Sequence, residues 1–322
     1  MKVLINTLHP LDFWNIPEIF VGKAEKRFPD ITFVYLKDKS NLQKEIEDAD
    51  VYFGWFPGEE AFLKAKKLKW IHTPQVGVGR FLSLGEFLEK VVLTNASNVD
   101  RRQIGEFAFS LFLGLHFGHN LIVKNYLLKK WARKEIGDFL VNPKRKPLKE
   151  MNAVVLGYGG IGKVIVELLF PVVKTVSVVK RKKENLPYRV FTLNEWRKFL
   201  PSADVVFIAI PSDKQSKGFL NREKIEIFEN FPYIVNVGRG KVVVEKDIAE
   251  GLRNGKISGY AADVCEVEPP DENFPLWGFD NVIISPHVSV LEPDFWKKQL
   301  DFFLENLERF LNGEKPLGIV ND

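Results

Sequence analysis

Val154-Val155-Leu156-Gly157-Tyr158-Gly159-Gly160-Ile161-Gly162-Lys163-Val164 is the stretch that decides the fold. An apolar run leads into glycines at the first, third and sixth positions of a loop, and a helical pattern begins near Ile161. Gly157 permits a tight turn, Gly159 lets backbone approach a pyrophosphate, and Gly162 allows a helix to pack closely on the strand. The N–H groups and positive dipole end of that helix attract phosphates. Gly157, Tyr158, Gly159, Gly160, Ile161 and Gly162 therefore read as a dinucleotide-binding turn. Glycine-rich turns are common, and the strand–turn–helix setting is what gives this one weight.

On both sides of this loop, short apolar runs alternate with helical patterns, which predicts an α/β protein with parallel sheets. Before it, residues 2–6, 32–36, 51–55 and 70–73 read as strands, and 17–28, 41–47 and 59–66 carry helix-compatible spacing. After it, strands are predicted at 153–156, 175–179, 205–210, 233–237, 259–264 and 282–285. Runs such as Val205-Val206-Phe207-Ile208-Ala209-Ile210 lack polar alternation, as expected of strands covered on both faces. Residues 293–312 carry Phe295, Trp296, Leu300, Phe303, Leu304, Leu307 and Leu311 at helical spacing, closed by Gly313 and Pro316. The polar stretch 142–150 is either an interdomain linker or a surface loop within one domain.

At 322 residues the chain is long enough for two domains. A net charge of +4 is small for this length, which argues against nucleic acid while suiting a small anionic ligand. The lone cysteine, Cys265, excludes an intrachain disulfide and a zinc cluster, and a reducing cytoplasm is the expected setting. The N-terminal apolar run is too short for a signal-peptide core. Residues 107–123 are strongly apolar, but Ser110, His116, His119 and Asn120 interrupt them, so a buried helix is expected there.

The end of the second strand after the glycine loop discriminates between dinucleotides. An NAD site usually places a carboxylate there for the ribose hydroxyls. This chain reads Lys180-Arg181-Lys182-Lys183, with no carboxylate at that point to repel a 2′-phosphate. A charge-assisted hydrogen bond is worth ~1.5–3 kcal/mol, roughly ten- to hundredfold in binding. NADP is thus expected in preference to NAD, although the same run also reads as a solvated basic turn.

Three downstream segments, each after a predicted strand, hold an Arg, a Glu and a His: Val237-Gly238-Arg239-Gly240, Asp263-Val264-Cys265-Glu266-Val267-Glu268-Pro269, and Ser285-Pro286-His287. Individually such residues can be a surface charge, a turn cap and a loop filler. In this order, after the glycine loop and together with Leu276-Trp277-Gly278-Phe279-Asp280-Asn281, they resemble the D-isomer-specific 2-hydroxyacid dehydrogenases over nearly the whole chain.

The resemblance implies a hydride transfer between a nicotinamide and a small 2-oxo acid. It makes His287 the acid–base, Glu268 its carboxylate partner (with Glu266 as competitor), and Arg239 the residue that binds the substrate carboxylate and polarises the 2-oxo group. Pro211, Val237, Gly238 and Asp263 join Lys180, Arg181 and Lys182 on the cofactor side, Asp263 near the nicotinamide carboxamide. Gln75, Val76 and Gly77 match the family's substrate-carboxylate loop. Neighbouring His72 is taken as a strand residue.

It further implies two Rossmann-like or flavodoxin-like domains, with a cofactor domain at 98–289 inserted into a substrate domain at 1–97 and 290–322. The helix at 102–116 is then a crossover that supports a homodimer. Glyoxylate or hydroxypyruvate reduction is favoured. D-3-phosphoglycerate oxidation, formate oxidation and a non-catalytic corepressor-like binding role are the alternatives. Arg80, Arg101 and the Val-Ser pair after His287 depart from common family patterns near the pocket and leave the substrate open.

Overall fold

The computed structural model describes residues 1–97 and 99–321. The chain divides into two compact units, Met1–Asp100 with Glu292–Asp322, and Arg101–Leu291.

In the first unit, β1 (Lys2–Asn6), β2 (Thr32–Tyr35), β3 (Val51–Gly54), β4 (Trp70–Thr73) and β5 (Val92–Asn95) form one sheet in the order β2-β1-β3-β4-β5. Every pairing is parallel, which requires a crossover between successive strands. The helix Phe295–Leu311 returns to this unit and buries the face read from its spacing, including Phe295, Leu300, Phe303 and Leu307. Phe303 stacks on Phe53 and Trp70 at 4.5 and 5.3 Å. Full burial of such a side chain contributes about 1.5–3 kcal/mol, so this face ties the end of the chain to the sheet.

The second unit holds β6 (Asn152–Leu156), β7 (Thr175–Val179), β8 (Arg189–Phe191), β9 (Val205–Ile208), β10 (Tyr233–Asn236), β11 (Gly259–Ala262) and β12 (Val282–Ile284). They form a second parallel sheet in the order β12-β11-β10-β9-β6-β7-β8. Strand order reverses between β6 and β9, and in open α/β sheets ligands bind outside the carboxyl ends at such a switch point. All four residues of β9 are buried, as its unbroken apolar run requires.

Several boundaries differ from the sequence reading for identifiable reasons. The run 205–210 stops being strand at Ile208 because Ile210 precedes Pro211, which restricts its backbone and offers no N–H. The strands β5 and β8 are absent from the sequence reading: β5 ends in Thr94-Asn95, polar residues that look like a loop, and β8 is a three-residue edge. The stretch 142–150 lies inside the second unit, so it is a loop within a unit and not a linker.

The apolar run 107–123 divides between the helices Arg101–His116 and His119–Leu127, bent by 68°. Gly118, at φ 67°, supplies the left-handed residue that ends the first helix. Among the described residues no single helix is long and apolar enough to cross a membrane. The first helix packs on the sheet, with Phe112 edge-on to Phe207 at 5.7 Å and Tyr233 at 5.9 Å.

Candidate active site

The glycine loop fits a pyrophosphate. At Gly162 a β-carbon would lie 1.9 Å from the Gly157 carbonyl oxygen, so only glycine lets the helix Gly160–Leu169 approach the turn. Gly157 has φ 101° and its missing β-carbon would meet the Ala209 carbonyl oxygen at 2.6 Å. Gly159, by contrast, faces open space, and among the described residues no side chain caps the helix that follows. Its first N–H groups are thus free of side-chain acceptors and available to an anion.

The basic turn after β7 is less bare than its sequence suggests. Lys180 Nζ lies 2.5 Å from Glu184 Oε2 and over the Tyr158 ring, Arg181 Nη2 lies 2.9 Å from Asp213 Oδ2, and Lys183 pairs with Glu195 at 2.9 Å. The expectation of a turn with no carboxylate at hand is therefore corrected. The strand end itself carries Lys180, but folding brings carboxylates to the cations. Lys182 is exposed and, among the described residues, has no carboxylate partner. Pro211 opens the loop that carries Asp213, and its carbonyl oxygen accepts from Ser216 Oγ at 2.7 Å.

The ends of β10, β11 and β12 bring Arg239, Glu268 and His287 together. Gly240 makes the approach possible, since a β-carbon there would fall 2.0 Å from the Cys265 backbone. Val237 is buried, and Gly238 would clash with the Ile210 carbonyl oxygen at 2.6 Å if it carried a side chain. Glu268 accepts from the Cys265 N–H through Oε1 at 2.9 Å and meets His287 Nδ1 through Oε2 at 2.7 Å. Its competitor Glu266 donates its N–H to Glu245 and takes no part in the His287 contact.

The electrostatics follow from this geometry. The hydrogen bond to Glu268 raises the His287 pKa above the ordinary imidazole value, against the opposing effect of burial. Burial alone would raise the Glu268 carboxyl. Its bonds to His287 and the Cys265 N–H, with the charges of His287 and Arg239, outweigh burial and hold it below the usual carboxylate range. Burial lowers the Arg239 pKa, offset in part by Glu268. Among the described residues its guanidinium makes one hydrogen bond, Nη1 to the Gly238 carbonyl oxygen at 2.6 Å, leaving donors for a ligand. Burial pushes the Cys265 thiol up to about 12, which makes it unreactive.

Asp263 has a role that sequence reasoning did not find. It is 1% exposed, and its carboxylate accepts from Ser285 Oγ at 2.7 Å, Val288 N–H at 2.9 Å and Ser289 N–H at 3.0 Å. These bonds grip the loop on both sides of His287, which sits at φ 55°, a conformation unfavourable for a residue with a β-carbon. The observed work of Asp263 is to hold the catalytic-candidate loop. A second unforeseen feature is Arg101. A β-carbon at Gly160 would lie 3.2 Å from Arg101 Cδ, so this arginine's stem lies on the glycine loop. The close crossing depends on Gly105, where a β-carbon would fall 2.4 Å from Val164 Cγ1. Arg102 is tied to Glu106 and Glu167, whereas Arg101 has no ion pair among the described residues.

In the first unit the loop after β4 is held by Asn95, whose Nδ2 donates to the Val76 carbonyl oxygen at 3.0 Å. The Gln75 N–H reaches Thr73 Oγ1 at 3.3 Å. The N–H groups of Val76 and Gly77 have no partner among the described residues, as a backbone anion site requires. His72 is fully buried, contacts Thr94 Oγ1 through Nδ1 at 2.7 Å and is pushed by burial down to about 3, which fits a core strand residue. Among the described residues no group of three or more His, Cys, Asp or Glu side chains is placed to hold a metal ion.

Comparison with known proteins finds relatives along most of the chain. A hydroxypyruvate reductase of Blautia hydrogenotrophica is 30% identical over 296 residues, covering 89% of each chain. A glyoxylate reductase of Thermofilum pendens is 27% identical over 88% of this chain and 84% of its own. A solved D-isomer specific 2-hydroxyacid dehydrogenase family protein of Aeromonas salmonicida superposes with a TM-score of 0.84 at 25% identity, covering 100% of this chain and 99% of its own. Residues 120–289, more than half of the chain, match the NAD binding domain of the D-isomer specific 2-hydroxyacid dehydrogenases. The chain belongs to the D-isomer specific 2-hydroxyacid dehydrogenase family.

Proposed function

We propose that this protein reduces a small 2-oxo acid to the corresponding 2-hydroxy acid, that glyoxylate or hydroxypyruvate is the substrate, and that NADPH is used in preference to NADH. The observation that carries the reading is the 2.7 Å contact between His287 Nδ1 and Glu268 Oε2, with Arg239 close enough to lower the Glu268 pKa. Residues 157–162 hold the cofactor pyrophosphate, and Lys180, Arg181 and Lys182 flank its adenosine ribose. Pro211, Val237 and Gly238 complete the rim along the strand ends. A bound nicotinamide supplies the hydride.

The protein's own groups handle the acid and the proton. Arg239 presents a donor fork that matches a carboxylate and polarises a carbonyl. In the first unit, Gln75 and the Val76 and Gly77 N–H groups form a loop suited to bind an anion. His287, whose protonated form Glu268 stabilises, gives its proton to the carbonyl oxygen as charge develops there. In the reverse direction the neutral imidazole takes the hydroxyl proton. The names of the Blautia and Thermofilum relatives favour hydroxypyruvate and glyoxylate over bulkier acids.

A homodimer belongs to the same reading. Ile122, Val123, Tyr126, Leu127, Trp131 and Val141 are exposed apolar residues in and beside two consecutive helices, Trp131 at 92% exposure. A second copy of the chain is the partner that covers them. Sedimentation of Trp131→Glu should shift the protein to monomer.

The test of function is loss of absorbance from NADPH and from NADH with glyoxylate, hydroxypyruvate and a bulky 2-oxo acid. Rapid NADPH oxidation by one of the two small acids, abolished by His287→Ala, is the expected result. Silence with every acid, from folded protein that still binds dinucleotide, would replace the enzyme reading with a dinucleotide-sensing binding protein.

A further inference from the structure

The ion pair between Arg181 and Asp213 joins two loops that are not neighbours in the sheet. Arg181 follows β7 and Asp213 follows β9, and β6 lies between those strands. Two strand spacings separate β7 from β9, roughly 10 Å, and the Nη2–Oδ2 contact of 2.9 Å closes that gap at the carboxyl end of β6, where the glycine loop starts. The pair therefore spans the crevice at the switch point.

Asp213 is oriented by backbone donors of its own turn, whereas Arg181 is oriented by Asp213. Asp213 Oδ1 accepts from the Gln215 N–H at 2.9 Å and the Ser216 N–H at 3.0 Å and lies 2.9 Å from Ser216 Oγ. Ser216 is itself 2% exposed, so the turn that aims the carboxylate is anchored in the unit. The Arg181 side chain is 76% exposed and, among the described residues, makes this one ion pair. An exposed guanidinium thus rests against a carboxylate oriented by its own turn.

We propose that Asp213 is a specificity-determining residue that lets the adenosine-ribose site accept NADH as well as NADPH. The inference rests on the reading of the 180–183 turn as that site. With NADPH, Arg181 must exchange Asp213 for the 2′-phosphate, and the Asp213 carboxylate stays behind as a like charge beside the phosphate. With NADH, the same carboxylate accepts a hydrogen bond from the ribose 2′-hydroxyl, the task usually given to an acidic residue at the end of the second strand, where this chain has Lys180. Lys180 is paired with Glu184 and Lys183 with Glu195, and Lys182 is a donor only, so among these side chains the Asp213 carboxylate is the acceptor that favours NADH.

The experiment measures equilibrium dissociation constants of NADPH and NADH by quenching of protein fluorescence, for wild type, Asp213→Asn, Asp213→Thr and Arg181→Ala. Asparagine keeps an acceptor for the Gln215 and Ser216 donors, and threonine supplies an independent uncharged turn residue. In both 213 variants NADPH should bind more tightly and NADH more weakly, raising the ratio of the NADH constant to the NADPH constant by about tenfold or more. Arg181→Ala should weaken NADPH by about tenfold or more and leave NADH within about twofold. If Arg181→Ala weakens NADPH but the ratio stays constant or falls in folded 213 variants, the role of Asp213 is refuted and the phosphate site survives. If Arg181→Ala leaves NADPH binding unchanged, the turn is not the phosphate site and the proposal falls with it.

Discussion

Replacing Glu268 by Gln tests the proposed acid in a way that mere loss of activity does not. Glutamine keeps the shape and an acceptor for His287 Nδ1, which now stands 2.7 Å from Oε2, but removes the charge. Two unit charges about 4 Å apart interact by roughly 1 kcal/mol in water and roughly 4 kcal/mol at an effective dielectric of 20. The His287 side chain is 52% exposed and that of Glu268 38%, so the lower half of that range applies. A loss of about 1.5 kcal/mol corresponds to about one pK unit.

The sign is set by the cause. In the wild type the bond to Glu268 raises the His287 pKa and burial opposes it, so removal of the charge leaves burial unbalanced and the imidazole pKa falls. Reduction needs the protonated imidazole and declines as pH rises through that pKa. The alkaline limb of kcat/KM for 2-oxo acid reduction should therefore move about one unit toward acid in Glu268→Gln, and the acidic limb of the reverse oxidation should move with it.

Folding stability should change little. The raised His287 stabilises the native state below its unfolded pKa and ceases to do so as pH rises through the folded value. The lowered Glu268 stabilises above its unfolded pKa and ceases to do so as pH falls through the folded value. A half-exposed pair contributes only roughly 0–1 kcal/mol inside that window. A limb that stays in place, or moves toward alkali, would refute His287 as the acid held by Glu268.

Four further outcomes are expected. Asp263→Ala frees both sides of the His287 loop and should lower kcat by about tenfold or more, as loss of charge-assisted hydrogen bonds implies; dinucleotide affinity should persist, which a direct carboxamide contact would not allow. Gly162→Ala places a β-carbon 1.9 Å from the Gly157 carbonyl oxygen and should lower Tm and weaken NADH and NADPH alike, the strain costing about 1–3 kcal/mol. Arg101→Ser should weaken both dinucleotides equally in a fluorescence titration, because a cation on the glycine loop serves the pyrophosphate common to both; a change confined to NADPH would count against it. His72 charges near pH 3 in the native protein against about 6.5 unfolded, so the unfolded state binds the proton first and stability falls as pH drops across that interval. The loss reaches roughly 5 kcal/mol, and His72→Leu should flatten the acid limb of Tm against pH.

Most of the architecture is legible along the chain because a strand buried on both faces writes an unbroken apolar run. The runs 2–6, 70–73 and 175–179 match β1, β4 and β7 residue for residue. What escaped is short or polar. In β5, Thr94 and Asn95 are buried because tertiary partners satisfy them: Trp70 Nε1 donates to Thr94 Oγ1 at 2.8 Å, and Asn95 serves the Val76 carbonyl oxygen. No local pattern announces a partner that arrives from another strand. The helix break at Phe117-Gly118 was present in the sequence as a glycine, but its effect depends on the left-handed φ that only the fold displays.

The candidate site divides along the same line. Arg239, Glu268 and His287 were recognisable because each follows a strand, and parallel strands in one sheet deliver their carboxyl ends to a common edge whatever their separation in sequence. The restraints on them were not recognisable. Asp263 meets Ser285 across 22 residues and Ser289 across 26, and Asp213 meets Arg181 across 32. A run of cations read alone suggests a phosphate site, yet its field is that of the cations minus whichever carboxylates the sheet order folds beside them. For the turn after β7 that subtraction involves Glu184, Glu195 and Asp213, and of these only Asp213 stands on the far side of the crevice. On the proposed reading of this turn, cofactor preference would depend on strand order β9-β6-β7 as much as on the residues Lys180 to Lys183.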